Sequence, residues 1–112
     1  MTTSTKESDM NVQINNFYHG CNNPEAIIDA IVGGGKINPG FHLAPDINVA
    51  RNYGMHVVKV QVEGDLVKAH VGMINKEGNY NKAVGNGIEV VLKDHAAVAE
   101  LYGKLWDAEV VH

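Results

Sequence analysis

Hydrophobic positions in this chain recur with two periods, and the changes between them predict its elements. From Val12 to His19 the pattern is that of a strand with Val12, Ile14 and Phe17 turned inward. Asn22-Asn23-Pro24-Glu25 then opens a helix, with Asn23 as cap and Pro24 at the first helical position. Ala26, Ile27, Ala30 and Ile31 place one apolar face on residues 24–32, and Gly33-Gly34-Gly35 stops the helix. Gly40 to Gly54 reads as a corner: a short strand, a turn at Ala44-Pro45, and a helix capped by Asp46 and ended by a left-handed Gly54. Met55 to Val62 alternates, with Val58, Val60 and Val62 on one face and Lys59 and Gln61 on the other. After a turn at Glu63-Gly64-Asp65, Leu66 to Val71 is expected to be another strand. Residues 72–87, with Gly72, Gly78, Gly85 and Gly87, are expected to form a long mobile loop. Ile88 to Leu92 reads as a buried strand, His95 to Leu105 as a helix with Val98, Leu101 and Leu105 on one face, and Ala108 to Val111 as a closing sheet edge. The order predicts an α+β fold with a mostly antiparallel sheet and a few short helices. A single domain over residues 12–112 is expected, behind a polar stretch at 1–11 that is expected to be disordered.

Composition narrows the functional classes. The formal net charge is −4, with nine Lys and Arg and no basic run, which argues against broad binding to a phosphate backbone. A nucleic acid touched only at one base or end stays open as a partner. Cys21 is the one cysteine, so no intramolecular disulfide can form and a reducing compartment is expected. No apolar run approaches the roughly 18–20 residues that cross a bilayer, and the polar N-terminus lacks the apolar core of a secretion signal. The expected setting is the cytoplasm.

Among candidate chemical groups, Glu89 is the most informative, because it interrupts an apolar strand directly after the glycine-rich stretch. Facing inward, a carboxylate costs several kcal/mol unless a site compensates it. On a half-exposed strand it would simply face water. His19 follows two aromatic residues and precedes Gly20, which lacks the side chain that would keep a ligand from the backbone. His42 on the corner strand and Tyr53 at the end of its helix could present both rings to one cleft. His56, His70, His95 and His112 have no spacing typical of a metal site, and no cysteine pair exists for zinc, so no metal is expected. Cys21 has only His19 nearby as a thiolate partner, and neither a Walker motif nor a Rossmann glycine pattern occurs.

Taken as a set, Phe17-Tyr18-His19-Gly20, then Gly40-Phe41-His42-Leu43-Ala44 with Ala50-Arg51-Asn52-Tyr53, then Gly87-Ile88-Glu89-Val90-Val91 closely resemble the ADP-ribosyltransferase fold of the diphtheria-toxin and poly(ADP-ribose) polymerase branch. That branch has a first-strand Tyr-His-Gly, a Gly-x-Tyr strand leading into a helix that ends on a tyrosine, and a late acidic residue at the head of a strand. The resemblance covers residues 12–95, and the His-Gly element is also similar to the start of the small rifampin-modifying transferases. It implies a split, mostly antiparallel sheet and NAD as substrate. His19 would hydrogen-bond a ribose hydroxyl of NAD. The Gly20 backbone would grip the nicotinamide carboxamide, Tyr53 would stack on the nicotinamide ring, and Glu89 would bond the ribose 2′-hydroxyl as nicotinamide leaves. His42 stands where the family has a tyrosine; it can stack, but a protonated imidazole would sit badly beside a cationic ring. Gly87 stands where arginine-directed members carry Glu or Gln, so arginine transfer is not implied. The loop ahead of Glu89 would face the acceptor, with Tyr80 its aromatic contact. The expected function is that of a mono-ADP-ribosyltransferase acting on one macromolecular acceptor, a protein before a nucleic acid. By analogy, a phage or bacterial effector is the setting this suits. The alternatives are NAD hydrolysis by the same site and a catalytically weak NAD- or ADP-ribose-binding module.

Overall fold

The valine-rich segment forms the central strand of the first sheet. In the computed structural model, which describes residues 13–74, 80–81 and 87–111 (between 71 and 88 mostly through the strand backbone), β3 (His56–Glu63) lies between β1 (Ile14–Cys21) and β7 (Leu105–Val111), antiparallel to both. Val58, Val60 and Val62 are fully buried on one face, as their alternation requires, while Val57 is buried on the other. The expected strand at 12–19 is shifted, since β1 runs on through Gly20 and Cys21 to pair with Val57 and His56. The closing strand is also longer than Ala108–Val111. It starts at Leu105, where backbone angles of φ −63° and ψ 128° end the preceding helix, and its register against β3 shifts between Gln61 and Val62. Lys59 and Glu109 are cross-strand partners and form an ion pair of 2.9 Å.

The second sheet has the order β2 (Phe41–Leu43), β6 (Gly87–Leu92), β4 (His70–Ile74), β5 (Tyr80–Asn81), all antiparallel. Two sequence expectations are corrected here. Leu66 to Ala69 is a turn rather than a strand, tied down by Glu100, whose carboxylate oxygens accept from the Val67 and Lys68 amides at 2.9 and 2.8 Å. The expected long loop at 72–87 is entered by β4, β5 and the start of β6; its remaining positions, 75–79 and 82–86, lie outside the described residues, as do 1–12.

Three short helices complete the α+β domain. α1 (Pro24–Val32) is capped by the Asn23 side chain as expected, but its packed face uses Ile27, Ile28, Ala30 and Ile31, leaving Ala26 exposed. α2 (Ile47–Ala50) is capped by Asp46, which accepts from the Asn48 amide at 2.8 Å, and runs into a 3-10 turn at Arg51–Tyr53. α3 (His95–Lys104), capped by Asp94, buries Ala97, Val98 and Leu101 in the main core beside Leu43, Leu92 and the three inward valines. Gly54 does not end its helix in the left-handed conformation: its φ is 169°. Glycine is needed there for room, because a Cβ would lie 2.4 Å from the Cys21 carbonyl carbon.

Candidate active site

The site forms where the two sheets part. β2 and β6 pair from Phe41↔Leu92 to Leu43↔Val90, and the next rung would join Ala44 to Glu89. Ala44 instead turns to β1, exchanging two 2.8 Å backbone hydrogen bonds with Tyr18. Glu89 is thus left just past the last rung, facing away from core residues Val90 and Leu92 by strand alternation. It is 2% exposed, so the inward reading of this residue holds and the solvent-facing one is wrong.

The same geometry sets the backbone of Gly20. Tyr18 turns its N–H and C=O toward Ala44, and groups two residues on along a strand point the same way. Gly20 therefore turns its N–H and C=O away from β3, on the side of β1 that faces β2. Its missing side chain is required for packing, since a Cβ would sit 1.8 Å from the Ala50 carbonyl oxygen and 3.2 Å from Tyr53 Cβ. Gly20 is what lets α2 and its 3-10 turn lie against β1.

His19, Gly20, His42, Tyr53 and Glu89 line one cavity of about 170 Å³, together with Tyr18 and Ala50. The His19 ring stacks on Phe41 with centroids 4.1 Å apart and planes 15° from parallel. Its Nδ1 lies 2.7 Å from the His42 carbonyl oxygen, which can only accept, so Nδ1 carries the proton. Burial lowers the His19 pKa, against the raising effect of that hydrogen bond, and the neutral ring keeps Nε2 as an acceptor. His42, which lines the cavity and keeps solvent-accessible surface, is also lowered by its partial burial there. Tyr53 is 40% exposed, and burial together with the neighbouring Glu89 raises its phenol. Burial drives the Glu89 acid up to about 7, with the nearby Tyr53 hydroxyl opposing part of that rise.

Of the residues singled out in the sequence, those at 19, 20, 42, 53 and 89 meet in this cavity. Tyr80 is placed in β5 opposite Ile74, and Gly87 begins β6, but their side-chain surroundings lie outside the described residues. Tyr18 and Ala50 were missed. Tyr18 stood within the quoted aromatic strand, and Ala50 is legible only as a small residue at a helix end. Among the described residues no group of three or more His, Cys, Asp or Glu is placed to hold a metal ion, and no helix is long and apolar enough to cross a membrane. No protein-family model, curated protein or solved structure matches the chain.

Proposed function

We propose that the chain is a mono-ADP-ribosyltransferase that cleaves NAD and passes ADP-ribose to one macromolecular acceptor. One observation carries this reading: a buried carboxylate, two histidines, a half-exposed tyrosine ring and the open backbone of Gly20 surround a single cavity, although they are scattered from residue 19 to residue 89. The cavity volume of about 170 Å³ is below the roughly 300–1,000 Å³ of sites that enclose a whole drug-sized ligand. It suits the nicotinamide-ribose end of NAD, with the adenosine end outside.

In this reading the exposed Tyr53 ring and His42 flank the nicotinamide ring. The Gly20 N–H and C=O match the acceptor and donor of its carboxamide, and His19 Nε2 accepts from a ribose hydroxyl. The bond between ribose C1′ and the ring nitrogen breaks, its electron pair neutralises the cationic ring, and positive charge develops on the ribose. Glu89 accepts from the 2′-hydroxyl and stabilises that charge from a water-poor position. An acceptor oxygen or nitrogen then bonds C1′ and releases its proton. Burial favours the neutral forms of His19 and His42, which suits a site that first binds a cationic ring.

Incubation of the protein with NAD should release nicotinamide, and labelled NAD in a lysate of the natural host should mark one acceptor. Nicotinamide release without label transfer would point to the hydrolase alternative, which the solvent-accessible surface of His42 in the cavity favours. No release at all would leave a binding module and defeat the catalytic reading.

A further inference from the structure

We propose that a second hollow, across the 3-10 turn from the cavity, docks an acidic, partly apolar segment of a protein, and that this protein is the acceptor. The last clause rests on the function proposed above; the docking itself does not. Arg51, Met55, His56, Val57 and Val111 line this hollow, whose volume is about 230 Å³. Tyr53 belongs to the same three-residue turn as Arg51 but lines the cavity, so the turn divides the two spaces. A partner seated at Arg51 would therefore lie beside the cavity.

The frame of the hollow is fixed. Val57 is buried and pairs with Val111 across β3 and β7, and His56 pairs with Cys21 of β1. The Met55 amide donates to Asn22 Oδ1 at 3.0 Å, yet the residue is 89% exposed. A thioether held in water by an anchored backbone adds little to the core and suits a contact surface. Charge then selects the partner. The Arg51 guanidinium is always charged, and among the described residues no carboxylate is ion-paired with it. Glu109, two residues before Val111, is held by Lys59 at 2.9 Å, and the Asp46 carboxylate accepts from the Asn48 amide. Arginine grips a carboxylate through two parallel N–H bonds, and the His56 ring can add a third donor. Met55 and the two valines would receive a neighbouring apolar side chain. One guanidinium in a chain of net charge −4 is too little for a phosphate backbone, whereas Arg, Tyr and Met are enriched where proteins meet. The volume is below that of sites enclosing a whole drug-sized ligand, which suits side chains of a larger partner.

The test titrates a blocked tetrapeptide of alternating glutamate and leucine into the isotope-labelled protein. By NMR, the backbone amides of Arg51, His56, Val57 and Val111 should shift, and that of Glu89 in the cavity should not. Replacing the peptide's glutamates by glutamine should weaken binding about tenfold, the size of a lost charge-assisted hydrogen bond. Arg51→Gln, at an exposed position, should weaken the acidic peptide by the same factor. With NAD, this variant should release nicotinamide at the wild-type rate and label the acceptor about tenfold more slowly. No shifts at millimolar peptide, or equal affinity in Arg51→Gln, would overturn the docking site. Inorganic phosphate binding there as well as the peptide would make it a simple anion site. Tighter, Arg51-dependent binding of a short single-stranded oligonucleotide would make the partner a nucleic acid; either result overturns the proposal. Peptide binding through Arg51 with label transfer unchanged in Arg51→Gln would overturn the link to the acceptor. If the wild-type protein releases no nicotinamide while the peptide binds through Arg51, the docking site stands and the proposed function fails.

Discussion

Glu89 carries two consequences that can be measured separately. As an electrostatic stabiliser of the transition state, it should matter little for binding NAD, so Glu89→Gln should leave affinity nearly unchanged and lower turnover about 10²-fold or more. As a buried acid it also loads the fold. Its pKa rises from 4.5 to about 7 on folding, so between those values the folded chain holds a proton that the unfolded chain has released. Stability therefore falls as pH rises across that window, by roughly 3 kcal/mol in all, and stays lower above it. Glu89→Gln should melt at a higher temperature than the wild type at pH 8 and at about the same temperature at pH 4, a difference thermal unfolding at the two pH values would show. Equal melting at pH 8 would mean the carboxylate is better solvated than its burial indicates. Glu100 runs the opposite way. Burial pushes its acid up, but hydrogen bonds from Lys104 and the Lys68 and Val67 amides outweigh this and hold it below its ordinary value. Its contribution is present at neutral pH and lost on acidification.

At the scale of elements, the contact of α2 and its 3-10 turn with β1 decides whether a site exists. Gly20→Ala would drive a methyl group into the Ala50 carbonyl, a backbone atom that cannot move without its helix. Gly34→Ala meets nothing within 4 Å and bears only the strain of a φ of +98°. The second change should cost about 1–2 kcal/mol. The first should cost clearly more in denaturant unfolding and abolish nicotinamide release as the turn lifts away. Similar losses in the two variants would mean that α2 adapts freely.

These glycines also show what the sequence could convey. Local signals were legible: the Asn23 and Asp46 caps, the alternating valines of β3, and the helix that buries Val98 and Leu101. The site was legible as ordered short motifs, and their meeting in one cavity follows from pairings that no local pattern states. Gly54 shows the limit. A glycine after a helix reads as a left-handed cap, but here its cause is the Cys21 backbone, 33 positions away in sequence. The turn at Leu66–Ala69 failed for a similar reason, because its apolar residues suggested a strand while Glu100, from a distant helix, captured the backbone amides. β7 was shortened because Leu105 continues the helical apolar face and Asp107 and Glu109 suit a solvated edge.

For the whole molecule, the cavity lies at the junction of the sheets, with β1 on one side and β2 and β6 on the other. A ligand held by Gly20 and Glu89 together would contact both sheets and should stabilise the assembled fold. At a concentration of about 100 times its Kd, NAD should add about 2.7 kcal/mol, or on the order of 10 °C in melting temperature. Nicotinamide alone should give a smaller shift, since it lacks the ribose that reaches Glu89. No shift with either would argue against this cavity as the binding site.

The Tyr18–Ala44 bridge sets a clock on this arrangement. Among the described residues it is an isolated backbone pair, whereas Val60 sits within a ladder paired on both sides. Any separation of the sheets that admits solvent must release the Tyr18 and Ala44 amide protons first, while β1, β3 and β7 can stay together. In deuterated water those two protons should be replaced sooner than that of Val60, and a ligand spanning the cavity should slow them without altering Val60. Their exchange would report how often the cleft opens, whatever the chemistry performed inside it.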